Sequence, residues 1–237
     1  MKPHLTLFLL LSCHSLTAQR KEQLLTLETN FGEMKIILFD DTPKHKANFL
    51  KLTNEKFFED LLFHRVINDF MIQGGDPESR NAEKGVRLGS GGDELDRIPF
   101  EFTTKHVHIK GALAAARDGN AEKASSACQF YIVTGKKYTE AQIKQTENSI
   151  AARQTQREKF AYTPEQIKAY SEIGGTPFLD NNYTVFGQVI HGIEVAEKIQ
   201  KVKTDKSDRP EEDIKMRITT KKISKKKITK LYGYKFS

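Results

Sequence analysis

The chain contains several short runs in which apolar and polar residues alternate, a pattern that predicts half-buried β-strands. Residues 24–29 and 33–39 are two such runs on either side of Asn30-Phe31-Gly32, and they predict an opening β-hairpin. A dense apolar stretch at 61–76 is divided by Asn68-Asp69, which predicts two more strands joined by a tight turn. The other runs that predict strands are 111–116, 128–134, 183–190 and 214–220.

Helical patterns are few in the chain. Thr42-Pro43 predicts a helix start, because proline is favoured at the first helical position, and this helix is expected to end near Asn54. A second short helix is predicted over 193–199. Many strands, few helices and no regular alternation of the two favour a mainly β protein, built as a closed and mostly antiparallel barrel.

One segment, at about 138–173, differs from the strand-rich remainder. Residues 138–172 contain no glycine and a single proline, and Thr163-Pro164 followed by Gln166 predicts a helix start. We expect one or two helices inserted between strands. The low apolar content predicts no core of its own, so the segment is interpreted as a helical insertion and not as a separate domain.

The N-terminal segment is typical of an export leader. Its apolar stretch at 5–11 is too short to span a bilayer but suits the central part of a signal peptide. We expect a signal peptide at 1–18, cleaved after Ala18; the alternative is a lipobox in which Cys13 carries a lipid anchor. With only two cysteines no disulfide framework is expected. An exported protein of this kind indicates a bacterial envelope, with a periplasmic or secreted location.

Charge changes this picture only at the C-terminus. The net charge of +7 is small beside 38 basic and 31 acidic residues. Lysines crowd the end of the chain, and residues 224–237 are expected to form a basic, solvated and frayed tail. A folded nucleic-acid-binding protein would show a basic face with aromatic or arginine-rich elements, so no nucleic-acid partner is expected. The apolar runs are also too short for a membrane span.

Patterns that would indicate metal-dependent or nucleophilic chemistry are missing. Gly89-Ser90-Gly91-Gly92 is not followed by the lysine of a phosphate-binding loop. His106 and His108 lack partners at metal-ligand spacing, and Cys128 lies in an apolar run where a buried, inert thiol is expected. No metal or other cofactor is expected. What remains is Arg65, an arginine embedded in hydrophobic sequence, which on pattern alone is either a structural ion-pair partner or a cation beside an apolar site.

Four sequence blocks lie along the chain in a fixed order. The first is Phe63-His64-Arg65-Val66-Ile67 with Phe70-Met71-Ile72-Gln73-Gly74-Gly75-Asp76. The other three are Gly111-Ala112-Leu113-Ala114-Ala115-Ala116, Gln129-Phe130-Tyr131-Ile132, and Leu179-Asp180 with Tyr183-x-Val185-Phe186-Gly187. Together they resemble the motifs of the cyclophilin family of peptidyl-prolyl cis-trans isomerases. The resemblance covers residues 24–223 and is interrupted by the helical insertion.

The resemblance implies an eight-stranded antiparallel barrel with two capping helices, and an isomerase that needs no cofactor. It implies that Arg65 is the catalytic residue and that Gln73 lies beside it. Three further groups of site residues are implied: an apolar cup for the proline ring (Phe70, Met71, Tyr131, Leu179), the path of the peptide backbone (Ala116, Arg117, Gln129) and a rim (His64, Phe178, Tyr183).

Four of these positions depart from the animal cyclophilins. Tyr131 replaces a phenylalanine, Arg117 an asparagine, Phe178 a tryptophan and Tyr183 a histidine. The insertion immediately precedes Phe178, and we expect it to overhang the groove and to influence substrate choice.

The expected partners are proline-containing unfolded or flexible polypeptides, met during protein folding in the cell envelope. The protein is expected to be a monomer. The alternative is a non-catalytic module, a barrel that binds proline-containing segments or acts as a chaperone without accelerating bond rotation. The combination of Arg65, Phe70 and Gln73 favours the isomerase.

Overall fold

The computed structural model describes residues 21–153 and 160–236. The predicted signal peptide at 1–18 and the alternative lipid anchor at Cys13 therefore lie outside the described residues. Within the described ranges, no helix is both long and apolar enough to cross a membrane.

Eight antiparallel strands close into a barrel, which confirms the predicted fold class. The order around the barrel is β1-β2-β7-β5-β6-β4-β3-β8, and β8 pairs with β1 to close it. The strands are β1 Lys21–Thr29, β2 Gly32–Leu38, β3 Leu61–Ile67, β4 Met71–Gly74, β5 Ala112–Ala115, β6 Phe130–Val133, β7 Val185–His191 and β8 Lys215–Ser224.

Two helices cap the barrel, as expected. They are α1, Pro43–Asn54, and the fourth helix in chain order, α4, Ile193–Ile199. Phe49 of α1 and Val195 of α4 join the barrel's main apolar cluster and are almost fully buried. Both helices therefore pack an apolar side chain against the core of the barrel.

Alternation along the central strands divides their side chains between two faces. Ile72 of β4 and Ile132 of β6 belong to the interior cluster. Met71 and Tyr131, on the same two strands, belong to a second cluster on the outer face. The outer surface of β4 and β6 is therefore the one on which the predicted site lies.

The insertion forms two helices, α2 at Glu140–Ala152 and α3 at Pro164–Glu172. Thr163 caps α3 through a reciprocal pair of hydrogen bonds with Gln166, which confirms the predicted helix start. The expectation that the insertion lacks a core is wrong. The insertion has few aliphatic residues, but its aromatic side chains add enough apolar surface to form a core. This separate buried cluster consists of Val107 and, from the insertion, Ile143, Ile150, Phe160, Tyr162 and Tyr170.

The C-terminal segment is not a frayed tail, contrary to the expectation from its lysines. Residues Lys225–Tyr232 form α5, whose first turn is capped by the Ser224 side chain. Ile228 is fully buried against Leu24 and Ile37 of the first two strands. The lysines lie around this apolar contact. The high lysine content predicts a solvated segment because it does not show that the apolar residues share one face of a helix.

Candidate active site

A row of paired residues crosses four neighbouring strands on the outer face of the barrel. Arg65 of β3 pairs with Gln73 of β4, Gln73 with Tyr131 of β6, and Tyr131 with Ala114 of β5. A cavity of about 530 Å³ opens above this row. The pairing of the strands therefore brings residues that are distant in sequence side by side at the site.

Arg65 presents a half-exposed guanidinium to this cavity. Its side chain is 42% exposed and its Nη1 donates to Gln73 Oε1 at 3.4 Å. Its Nε lies 3.6 Å from Asp208 Oδ2. One side of the guanidinium is thus held in place while the remainder faces the cavity, where it can donate to a bound peptide.

Gln73 belongs to a chain of amides that continues away from Arg65. Its Nε2 donates to Gln129 Oε1 at 3.1 Å, and Gln129 Nε2 donates to the carbonyls of Gly89 and Gly91. The Asp76 carboxylate accepts from the Gly89 amide. These bonds fix the orientation of Gln73, because each amide group has its other end engaged.

An apolar cup lies beside the guanidinium. Phe70, Met71, Tyr131 and Leu179, the four residues that the resemblance places in the cup, all line the cavity. The neighbouring positions on β5 and just after it are Ala114 and Ala116, both buried. Their side chains are small and therefore project little above the sheet.

Tyr131 is connected to the insertion by a buried polar network. Its hydroxyl lies 2.9 Å from His108 Nε2, and His108 Nδ1 lies 2.6 Å from Asp180 Oδ1. The Asp180 carboxylate also accepts from the hydroxyls of Tyr162 and Tyr170. Burial raises the pKa of Tyr131 well above its usual value, so its hydroxyl stays protonated and can donate to His108.

His64 is not on the rim, where it was expected, but in the wall of the cavity. It is 3% exposed, and neither ring nitrogen makes a hydrogen bond of ordinary geometry in the described part of the chain. Burial lowers the pKa of His64 to about 4, helped by the charges of Arg65 and Arg209 and opposed by Asp76. The imidazole is therefore neutral at neutral pH.

The other predicted rim residues occupy different places. Tyr183 lines the cavity, and the Arg117 guanidinium lies over its ring at 4.6 Å. Phe178 is 46% exposed and does not line the main cavity, but its ring lies 5.7 Å from that of Phe70. Phe178 therefore supports the outer edge of the cup.

The backbone-path residues lie where the main cavity meets a smaller neighbour of about 240 Å³. Ala116 and Arg117 line both cavities, whereas Gln129 lines only the smaller one. The insertion does not overhang the main cavity within the residues described, since none of its side chains lines it. It contacts the site from behind, through Asp180.

Sequence reasoning missed six residues that line the cavity, all of them in two irregular loops: Arg87, Leu88, Gly89, Lys206, Ser207 and Arg209. The loops meet because the guanidinium of Arg209 donates to the carbonyls of Glu83 and Val86. No local pattern signals such a contact across more than a hundred residues.

Other chemistries have little support among the described residues. No group of three or more His, Cys, Asp or Glu side chains there could hold a metal ion. Cys128 is buried as predicted, and burial raises the pKa of its thiol to about 11. The thiolate needed for nucleophilic attack is therefore scarce at neutral pH.

The structure therefore combines a closed antiparallel barrel with an arginine beside an apolar cup on its outer face. The comparisons identify the family. Residues 24–221 match the model of the cyclophilin type peptidyl-prolyl cis-trans isomerase family, whose description also includes the name CLD. The chain belongs to this family, and it is a peptidyl-prolyl cis-trans isomerase of the cyclophilin type.

Individual relatives agree with this assignment. A Staphylococcus saprophyticus protein that carries the name of a peptidyl-prolyl cis-trans isomerase is 36% identical over 193 residues, covering 80% of this chain and 87% of the relative. One from Staphylococcus haemolyticus is 36% identical over 200 residues, covering 83% and 89%. A crystal structure of a cyclophilin-type isomerase from Cryptosporidium parvum has the same fold, with a TM-score of 0.57 at 23% identity, covering 85% of this chain and 98% of that one.

Proposed function

We propose that the chain accelerates rotation about Xaa-Pro bonds in flexible polypeptides, with Arg65 as the catalytic residue. The observation that carries this proposal is the half-exposed Arg65 guanidinium at the edge of the cup. Phe70, Met71, Tyr131 and Leu179 receive the proline ring. His64, Ala116, Arg117, Gln129, Phe178 and Tyr183 complete the substrate-binding surface.

Bond rotation needs stabilisation of a twisted amide and no bond cleavage. The barrier of about 18 to 20 kcal/mol comes from amide resonance, which is lost as the bond twists and the prolyl nitrogen gains a lone pair. A charge-assisted hydrogen bond from Arg65 to that nitrogen contributes about 1.5 to 3 kcal/mol. The planar amide has no free lone pair to accept this bond, so the interaction favours the transition state over the ground state.

The cup and the amide chain supply complementary restraints. The apolar walls hold the proline ring and favour the twisted amide, because it is less polar than the planar one. Gln73, oriented by Gln129, holds the peptide backbone on one side of the bond while the other side rotates. Raising the turnover to ~10³ s⁻¹ from a process of about 10 to 100 s requires removing about 5 to 7 kcal/mol, so Arg65 acts together with these contacts.

The test is prolyl isomerisation of a short Xaa-Pro peptide, followed by NMR exchange, with the parent protein and Arg65→Ala. We expect kcat/KM to fall at least tenfold in the variant, because the charge-assisted hydrogen bond is lost. Arg217→Ala is the matched control, since Arg217 is an exposed arginine of β8 paired with Glu59. Equal activity of Arg65→Ala and Arg217→Ala would remove Arg65 from the mechanism, and a folded but inactive parent would leave a non-catalytic binding module.

We further propose that the protein works in the cell envelope as a monomer, after cleavage of residues 1–18 or lipidation of Cys13. The support for export is the apolar stretch at 5–11 in the sequence. Fractionation of cells that make the parent or Cys13→Ala tests the location. Release of the variant from the membrane fraction would identify the lipid anchor, and cytoplasmic retention of both proteins would contradict export.

A further inference from the structure

The main cavity is surrounded by positive charge. Among the described residues that line it there is no aspartate or glutamate, while five lining residues are cationic: Arg65, Arg87, Arg117, Lys206 and Arg209. A cavity with one sign of charge and low-dielectric walls concentrates its field on a ligand. The charge of the ligand is therefore part of what this cavity selects.

Two of the five cations are paired with carboxylates just outside the cavity. Arg65 pairs with Asp208 at 3.6 Å, and Arg209 pairs with Asp213 at 3.4 Å. Arg117 donates only to neutral acceptors, namely the backbone of Asp118 and the backbone and side chain of Asn182. Its positive charge is therefore not compensated by an ion pair.

Arg87 and Lys206 differ from the other three cations in that no hydrogen bond within the described residues holds their side chains. Both are exposed, and neither forms an ion pair with any carboxylate in the part of the chain that the structure describes. Arg209 is 4% exposed and binds the carbonyls of Glu83 and Val86. It thereby fixes the loop that carries Arg87 against the loop that carries Lys206, so these two cations are presented to the same cavity.

The adjoining smaller cavity lacks this excess of charge. It is lined by two arginines, Arg97 and Arg117, and by two aspartates, Asp93 and Asp118. Arg97 is paired with both of those aspartates. The smaller cavity thus has as many aspartates as arginines in its lining, and the net positive charge belongs to the proline-binding cavity and not to the whole groove.

We propose that the isomerase selects proline-containing segments with an anionic side chain next to the proline, and that Arg87 and Lys206 bind that side chain. This inference rests on the proposed function, since it specifies the substrate of the same site. The anion is a carboxylate or a phosphate group on the peptide. Exposed ion pairs are individually weak, so two of them supply about a three- to tenfold preference in kcat/KM.

The test compares peptides that have a single Xaa-Pro bond and differ only in charge. One set carries Glu, Gln or Lys before the proline, and a second set carries the same residues after it. The parent protein is expected to favour Glu over its neutral isostere Gln by about three- to tenfold in one set, with Lys poorest. The preference is expected to shrink in 1 M salt, where the screening length falls from about 8 to about 3 Å.

The double variant Arg87→Gln/Lys206→Gln identifies the cations responsible. It is expected to reduce the Glu-to-Gln ratio to below twofold. The matched control is Lys226→Gln/Lys230→Gln, which removes the same charge from exposed positions on α5 and is expected to retain the parent ratio. An equal fall of the ratio in both variants would overturn the assignment to Arg87 and Lys206.

Failure of this inference is distinguishable from failure of the proposed function. A parent that accelerates the Glu, Gln and Lys peptides equally, and a phosphoserine peptide no better than its serine counterpart, overturns the charge preference and leaves the isomerase intact. A parent that accelerates none of them overturns the isomerase itself. A phosphoserine peptide, compared with its serine counterpart, separates the two anions. A higher kcat/KM with both Glu and phosphoserine supports a site for either anion. A higher kcat/KM with phosphoserine alone assigns the site to phosphate.

Discussion

His64 lies directly before Arg65 in β3, yet its surroundings differ from those of Arg65. Its buried ring has a pKa of about 4, against an ordinary value of 6.5, so it carries no charge at neutral pH. Arginine does not titrate near neutrality. We therefore assign His64 to the shape of the cavity wall and not to proton transfer.

The lowered pKa of His64 predicts a pH-dependent stability. Between pH 6.5 and pH 4 the unfolded chain binds a proton at His64 that the folded chain does not. Stability must then fall as the pH is lowered through this range, by up to about 3 kcal/mol from this residue. His64→Gln, which cannot titrate, is expected to lose less stability than the parent between the two pH values. Urea unfolding at pH 7, 5.5 and 4.5 measures the difference, and parallel curves for the two proteins would contradict the lowered pKa.

The helical insertion is joined to the cup by hydrogen bonds through one buried carboxylate. Tyr162, at the end of the α2–α3 connection, and Tyr170 of α3 donate to Asp180, which lies next to Leu179 of the cup. Asp180 also accepts from His108, whose other ring nitrogen meets the Tyr131 hydroxyl. A change in the insertion can therefore reach the floor of the site without any contact with substrate.

This connection predicts energetic coupling between Tyr170 and Tyr131. Each single change to phenylalanine removes one hydroxyl from the network and is expected to cost about 1 to 3 kcal/mol of stability, because a buried partner loses its hydrogen bond. The double variant Tyr131→Phe/Tyr170→Phe is expected to deviate from additivity by at least about 0.5 kcal/mol.

Chemical unfolding of the four proteins in this cycle provides the measurement. Tyr232→Phe on α5, combined with Tyr131→Phe, is the control pair and is expected to be additive, since Tyr232 belongs to a different cluster. Additivity in both cycles would show that the insertion and the cup are independent.

The sequence predicts the elements of the whole molecule better than it predicts the contacts between loops. Local alternation located the strands, and Thr163 with Gln166 located a helix start, because neighbouring residues alone determine these features. Arg65 could be singled out because a charge inside an apolar run is itself a local signal. Arg87 and Lys206 carry no such signal, since their loops meet through contacts between residues more than a hundred positions apart, such as Arg209 with Glu83 and Val86.

The C-terminal helix was missed for a related reason. Leu24 and Ile37, which are paired across β1 and β2, are apolar residues on the outward face of their strands, and nothing nearby in sequence covers them. Their cover is Ile228, at the opposite end of the chain. The two ends of the described chain therefore meet on the outside of the barrel, where β1 also pairs with β8.

If α5 is part of the folded barrel, its buried isoleucine must contribute to global stability. Ile228→Ala is expected to lower the free energy of unfolding by about 2 to 4 kcal/mol, the range for a fully buried isoleucine whose site cannot collapse. Leu231→Ala is the matched control on the same helix: Leu231 is 53% exposed, so its truncation should cost less than about 0.5 kcal/mol. Both variants remove a large aliphatic side chain from α5 and replace it with alanine, which has a higher helix propensity than leucine or isoleucine, so only docking of the helix makes Ile228→Ala the costlier change. Equal urea midpoints for the two variants would mean that α5 does not pack on the barrel, whereas a large loss confined to Ile228→Ala would make the lysine-rich segment a structural part of the domain.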